Sequence, residues 1–517
     1  MSFLLALSLV LAAPPDELSG ALVIAGGGKL PDAARDRFVN LAGKDKANIF
    51  VIPTASADAD KPDQLDSFLA PWQKLTPGSV RILHTRDRKV ADSDEFVKPL
   101  ADATAVWISG GDQSRITAAY KGTRVEAELR KLLARGGVIG GTSAGAAVMT
   151  DPMITGGTTT ATMAPGFGLL PGFIADQHFV ARKRKERLMG AVDANPGFVG
   201  LGIDEGTAVV VKGRTLTVVG DSTATIILAA GANRPRLEQV LAAKETADLF
   251  QLRRAAANRA AKEPFPPAKP KEPEVPKGSL LIVGGGGAGP EIWGKFVELA
   301  GGPDALLVVV PTSMEDPLPP TIGEVRVLER AGAKNVKVLH TRSRKEADDP
   351  AFSKLLHDAK GVWFGGGRHW RFIDSYEGTL TETRFREVLA RGGVIGGSSA
   401  GASIQSEYMP RGHPLGNTVV DAEGYERGFG YLPGAAVDQH FFARKRPADM
   451  TKLLKRYPQY LGIGIDEGTA IVVKGHVAEV IGKSKVAFFD PRTPREPDYV
   501  EVKAGESFDL KARAKRD

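Results

Sequence analysis

The sequence predicts an α/β protein made of two tandem three-layer domains, each with a mainly parallel sheet. Three observations carry this expectation. The chain has 517 residues, more than one ordinary hydrophobic core accommodates. It repeats itself with a period of a whole domain. Within each repeat, short continuous apolar runs ending in glycine alternate with amphipathic stretches. Runs without polar alternation imply strands covered on both faces, hence a parallel sheet between layers of helix.

The repeated elements follow one another in the same order in both copies. Ala21-Leu22-Val23-Ile24-Ala25-Gly26-Gly27-Gly28 returns as Leu280-Leu281-Ile282-Val283-Gly284-Gly285-Gly286, a buried strand running into a glycine turn. Ile49-Phe50-Val51-Ile52-Pro53-Thr54 returns as Leu307-Val308-Val309-Val310-Pro311-Thr312. Leu83-His84-Thr85-Arg86 matches Leu339-His340-Thr341-Arg342, and Ala105-Val106-Trp107-Ile108-Ser109-Gly110-Gly111 matches Gly361-Val362-Trp363-Phe364-Gly365-Gly366-Gly367. Residues 124–134 and 381–390 have amphipathic helical patterning. Residues 255–278 are rich in Pro, Lys, Ala and Glu and read as an extended, semi-rigid linker. The expected organisation is therefore an N-terminal segment over 1–19, a first domain over 20–252, a linker over 253–278 and a second domain over 279–517. Ligands on such sheets gather at the carboxyl ends of the strands, where the glycine turns fall.

Composition narrows the chemistry. With 68 basic and 61 acidic residues the formal charge is +7, a mild bias toward anionic partners. No aromatic-basic module points to nucleic acid. The chain has no cysteine, which removes disulfides, zinc-thiolate sites and thiol nucleophiles together. No cofactor or metal is expected. Residues 3–13 form an apolar run of signal-peptide length followed by Pro14, Pro15, Asp16 and Glu17. They predict export to the periplasm or the cell exterior. No other stretch has the length and apolarity of a membrane span.

The chemistry concentrates at a Gly-x-Ser-x-Gly turn. Gly136 to Ala146 reads as a strand, a sharp turn with Ser143 at its centre, and a helix start rich in small residues; Gly392 to Ala402 repeats it around Ser399. Glycines on both sides suit a nucleophile elbow, because the turn is strained and leaves no room for side chains near the serine. Backbone amides at the turns, those of Gly111 and Ala144 in one copy and Gly367 and Ala400 in the other, are the candidate oxyanion donors. A serine needs a base and an orienting carboxylate at neutral pH. Of eight histidines, His178 in Asp176-Gln177-His178-Phe179 and His440 in Asp438-Gln439-His440-Phe441 recur after the serine among polar neighbours. His84 and His340 recur too, and read as structural. Downstream, Gly202-Ile203-Asp204-Glu205-Gly206-Thr207 matches Gly464-Ile465-Asp466-Glu467-Gly468-Thr469. Glu205 and Glu467 each lie 27 residues after the histidine, which makes each a triad acid or a substrate anchor. The order Ser, His, Glu differs from that of α/β-hydrolases.

These motifs, together with Gly110-Gly111-Asp112-Gln113 and the arginines Arg182, Arg184 and Arg187 after His178, resemble the cyanophycinase and dipeptidase E group of serine peptidases. The resemblance is to cyanophycinase more than to dipeptidase E, and it covers each copy almost end to end. It implies a fold like that of class I glutamine amidotransferases, with Ser143 as nucleophile, His178 as general base and Glu205 as the orienting acid. It also implies that Gln113, Asp176, Gln177, Arg182, Arg184 and Arg187 line the substrate site. The substrate it implies is cyanophycin, a poly-aspartate backbone bearing arginine through isopeptide bonds, or a related aspartyl peptide. Planar guanidinium groups suit such carboxylates.

The second copy keeps Ser399, His440, Glu467, Arg444 and Arg446 but has His369 in place of Gln113 and Asp449 in place of Arg187. Its segment between serine and histidine is six residues longer and contains Arg411-Gly412-His413-Pro414. The second site is thus expected to hydrolyse slowly, to accept a different aspartyl peptide, or only to bind. Family members with one such domain form homodimers, so the resemblance also implies an internal pseudo-dimer of the two copies.

Overall fold

The computed structural model describes residues 18–516; the predicted export segment lies outside them. The chain divides into two compact units that meet in sequence at Pro264 and Phe265.

In the first unit, five parallel strands lie side by side in the order Leu18–Ala25, Val138–Thr142, Ala105–Ile108, Asn48–Ile52 and Ser79–Ile82. Their side chains divide between two apolar layers: Leu22, Ile24, Phe50 and Val106 belong to one, and Val23, Ile49, Val51 and Trp107 to the other. Full burial of such a side chain contributes roughly 1.5–3 kcal/mol. The helix Arg124–Ala134, as its periodicity predicts, buries Val125, Leu129, Leu132 and Leu133 in the first layer. Phe38, Trp72 and Trp107 cluster in the second, with ring centroids 4.6 to 5.1 Å apart. The strand glycine Gly140 lies against Trp107, where a side chain would overlap the indole.

The continuous apolar runs do not reveal the antiparallel additions. Thr207–Gly213, Thr215–Gly220 and Thr246–Asp248 extend the main sheet antiparallel from Leu18–Ala25. A separate sheet holds Phe173–Gln177, Val199–Ile203, Ala224–Leu228 and Leu237–Leu241, of which the first two are parallel. The second unit repeats the plan with a nine-stranded and a five-stranded sheet, and its helix Leu380–Ala390 matches the predicted stretch.

The linker reading over 253–278 needs correction. Its first residues belong to the helix Leu249–Ala260, which buries Leu249, Phe250, Leu252, Ala255 and Ala256 in the first core. Its last residues begin the strand Val275–Val283. Phe265 packs against Tyr408 of the second unit's own core, with centroids 6.2 Å apart. Composition misled because alanines fill a close helix contact and one aromatic ring suffices to anchor a proline-rich segment. No described helix is long and apolar enough to cross a membrane.

Candidate active site

The parallel strands deliver the serine. Ser143 stands between the strand Val138–Thr142 and the short helix Ala144–Ala147 with φ 51° and ψ −109°; Ser399 occupies the same turn with φ 55° and ψ −109°. Such a backbone costs on the order of 1–3 kcal/mol for a non-glycine residue and persists only where its surroundings hold it. Here the Ser143 amide donates to Ala25 O at 3.0 Å, and Ser143 O accepts from the amides of Ala146 and Ala147. The flanking glycines are required by contact: a side chain on Gly145 would overlap Ile108 O, and one on Gly141 would overlap Gly145 O.

The histidine and the glutamate arrive from the smaller sheet. His178 follows the strand Phe173–Gln177 and itself has φ 51°. Its amide donates to Gly26 O at 2.6 Å, and its ring lies over Gly27, where any side chain would overlap the imidazole. Glu205 follows the strand Val199–Ile203. Its neighbour Asp204 accepts from the amides of Val180 and Ala181 at 3.0 and 2.9 Å and from Ser222 Oγ at 2.8 Å. That carboxylate holds the loop beyond the histidine, and Asp466 does the same in the second copy.

The three side chains meet in both copies. Ser143 Oγ lies 2.8 Å from His178 Nε2, and His178 Nδ1 lies 2.5 Å from Glu205 Oε1. The corresponding distances are 3.0 Å for Ser399 and His440 and 2.5 Å for His440 and Glu467. Burial pushes the His178 imidazole below its ordinary pKa, the hydrogen bond to Glu205 opposes this, and the nearby Arg182 charge lowers it further. His440 is lowered by burial in the same way, against Glu467 and with Arg444. A neutral imidazole whose Nδ1–H donates to a carboxylate presents a free Nε2 lone pair to the serine proton. Among the described residues, the amides of Gly111 and Ala144, and of Gly367 and Ala400, are not used by the turns and loops around them. Gly110 and Gly366 border the serines: a Cβ on each would stand 3.3 and 3.6 Å from the serine Cβ.

Several residues expected to line the substrate site are committed elsewhere. Asp176 is fully buried, and Arg187, at 2% exposure, is bidentate to it, with Nε to Oδ2 at 2.9 Å and Nη2 to Oδ1. Arg187 Nη1 also donates to Gly157 O at 2.7 Å. The pair ties a helix to a hairpin and has no face for substrate. Gln113 is buried, with Nε2 donating to Ile154 O at 2.8 Å. Arg446 is buried on Asp438 and Gln439 O at 2.8 and 2.6 Å, and Arg184 likewise reaches Gln177 O at 2.8 Å. Gln177 is itself buried, and among the described residues its Oε1 has no partner. Arg182 and Arg444 remain as exposed cations beside the histidines. The charge reversal at Asp449 is compensated by the lengthened segment: the Arg411 Nε–H is shared between the two oxygens of Asp438 at 3.2 and 3.0 Å, and Nη2 donates to Asp449 at 2.8 Å. His369 replaces Gln113 in kind, with Nε2 donating to Pro410 O at 2.9 Å, and burial holds its pKa down to about 4.

Sequence reasoning did not assign roles to Gly27, Asp204 or Arg411. The repeated triple glycine was the available signal for the first, and the repeated Asp-Glu pair for the second. His84 is the structural residue its pattern predicts, with Nδ1 to Thr54 Oγ1 at 2.8 Å and Nε2 to Asp60 at 2.9 Å.

A hydrogen-bonded Ser-His-Glu relay with a buried histidine, at the carboxyl end of a parallel sheet, defines a hydrolase of the serine peptidase kind. The model of peptidase family S51 matches residues 22–219 and again 280–481, and the chain belongs to that family. The cyanophycinase of Geminocystis herdmanii (strain PCC 6308) is 33% identical over 239 residues, 44% of this chain and 86% of that protein. The cyanophycinase of Nostoc sp. (strain PCC 7120 / SAG 25.82 / UTEX 2576) is 36% identical over 227 residues, 41% of this chain and 75% of that protein. A crystal structure of a peptidase from an acI-B1 Actinobacterium aligns with 28% identity and a TM-score of 0.37, covering 45% of this chain and 97% of that one.

Proposed function

We propose that the chain hydrolyses cyanophycin or a related β-aspartyl-arginine polymer to dipeptides through an acyl-enzyme. The observation that carries this reading is the pair of continuous hydrogen-bonded relays, Ser143 to His178 to Glu205 and Ser399 to His440 to Glu467. Serine Oγ attacks the carbonyl carbon while its proton passes to Nε2. The oxyanion that forms accepts from the Gly111 and Ala144 amides, or from those of Gly367 and Ala400. The C–N bond breaks as Nε2–H protonates the leaving nitrogen. Water, deprotonated by the same nitrogen, then cleaves the ester and restores the serine. Glu205 and Glu467 orient the ring and stabilise its charged form.

A second reading is an aspartyl peptidase of dipeptidase E-like specificity. It is favoured by the burial of Arg187 and Arg446 in ion pairs, which leaves Arg182 and Arg444 as the exposed arginines near the histidines. Residues 1–19 fit export to the periplasm or exterior as part of the same proposal, and the N-terminal sequence of mature protein recovered from cells tests it.

The test is release of β-aspartyl-arginine from insoluble cyanophycin by the intact protein, by Ser143→Ala, by Ser399→Ala and by the double substitution. Loss of one nucleophile lowers its own site's kcat/KM by about 10⁴-fold or more. No release by the intact protein, with cleavage of ordinary aspartyl dipeptides, replaces the first reading by the second.

A further inference from the structure

The turn that borders the nucleophile carries opposite charges in the two copies. After the oxyanion glycine, the first copy has Asp112 and the second has Arg368. The backbones are equivalent: Asp112 N donates to Ala55 O at 3.0 Å and Arg368 N to Ser313 O at 2.9 Å. Asp112 is exposed; it caps the following helix by accepting from Ser114 N at 2.8 Å and lies 4.0 Å from Arg115. Arg368 is half-buried beneath the inserted segment, with Nη2 donating to the carbonyl of His413 and, at 3.4 Å, to that of Pro414.

Carbonyls leave the charge of Arg368 without a counter-ion. Among the described residues no carboxylate lies within ion-pair distance of it, and its Nε is buried with no acceptor. The nearby Glu315 is already paired with Arg371 at 3.0 Å, and Asp438 and Asp449 are held by Arg411. A partly desolvated guanidinium costs free energy unless an anion joins it. The elements that hold it there, the inserted segment and the turn after Gly367, are those in which the second copy departs from the first. The same segment exposes Leu415 and Val419.

We infer that the second site is a distinct activity within the proposed peptidase function, taking aspartyl peptides that carry an additional carboxylate next to the scissile bond, which Arg368 recognises. The inference rests on the Ser399 relay being hydrolytic. Arg368 also acts against the other class of substrate, since it repels an arginine side chain where Asp112 attracts one.

The experiment uses the full chain and two short β-aspartyl peptides identical except for Glu or Arg beside the scissile bond. Ser143→Ala isolates the second site and Ser399→Ala the first. In the Ser143→Ala protein, kcat/KM favours the Glu peptide by about tenfold or more. Adding Arg368→Asp reverses the preference, Arg368→Lys retains most of it, and the Ser399→Ala protein prefers the Arg peptide. Preference of the second site for Arg, or a ratio unmoved by Arg368→Asp, overturns the inference. Covalent labelling of each serine by a fluorophosphonate separates the two levels of argument. If Ser399 is labelled but turns over neither peptide, stronger protection by the Glu peptide than by the Arg peptide supports Arg368 recognition, and equal or absent protection overturns it. If neither serine is labelled and neither peptide is cleaved, the peptidase reading fails and the inference falls with it.

Discussion

Around Asp176 and Asp438 the two copies solve one problem in opposite directions. Each buries an aspartate just before the catalytic-loop histidine, and each must supply a guanidinium to it. In the first copy Arg187 reaches from the helix Lys185–Ala194 to Asp176 and on to the hairpin carbonyl of Gly157. In the second, Arg411 reaches from the segment after the nucleophile to Asp438 and on to Asp449 of the helix Pro447–Arg456. Helix holds loop in one copy, and loop holds helix in the other. The lesson is that charge at a sequence position is not charge at a site. Arg187 and Asp449 differ in sign, yet both complete a cross-tie between the same two elements, and the buried Arg187 is not placed to meet substrate.

The largest test of this comparison is Arg187→Asp, which gives the first copy the second copy's residue without its compensating partner. Asp176 then faces a like charge in a buried setting, and the first domain loses about 3–5 kcal/mol, measured by denaturant unfolding. Thr155 occupies the position of Arg411, so adding Thr155→Arg recovers a large part of the loss. Stability unchanged by Arg187→Asp would break the comparison.

A smaller effect separates His369 from Gln113. Both donate to a carbonyl of the segment beyond the nucleophile, so His369→Gln costs less than about 1.5 kcal/mol, whereas His369→Leu leaves that carbonyl buried and unpaired and costs about 1–3 kcal/mol. Equal losses for the two variants would show that shape, not the hydrogen bond, matters there.

The smallest effect is in pH dependence, where the copies should agree. The base must be neutral, so each site's kcat/KM falls on the acid side as its histidine protonates. Burial and the neighbouring arginine both hold that pKa below its ordinary value. Arg182→Gln removes a cation beside His178, makes protonation easier and moves the acid limb to higher pH. Arg444→Gln does the same for His440. Each is read with the other serine replaced by alanine, and a limb that moves in one copy only would sharpen the difference between them.

Much of this protein was legible in its residues. The duplication, the parallel core, and the candidate serine, histidine and glutamate all follow from short motifs, because strand burial, tight turns and proton relays each demand particular residue types at particular spacings. The helices at 124–134 and 381–390 were legible for the same reason. The segment 253–278 was not, since its anchoring depends on what Phe265 and the alanines of the preceding helix pack against. The antiparallel strands added to each sheet were also hidden, because buried strands have the same apolar pattern whichever way they run.

What the sequence determined alone is the set of local devices: glycine where the backbone must pass close, serine at the strained turn, and a carboxylate at constant distance from each histidine. Only the tertiary structure decided which charges are free. Asp176 and Arg187, 11 residues apart, and Asp438 and Arg446, 8 apart, cancel each other across the loop that joins strand to helix, while Arg182, Arg444 and Arg368 are not paired with a carboxylate among the described residues. The physical reason is that an ion pair is a property of two positions and of the water excluded between them, and pairing between a strand end and the following helix leaves no periodicity for a sequence to display.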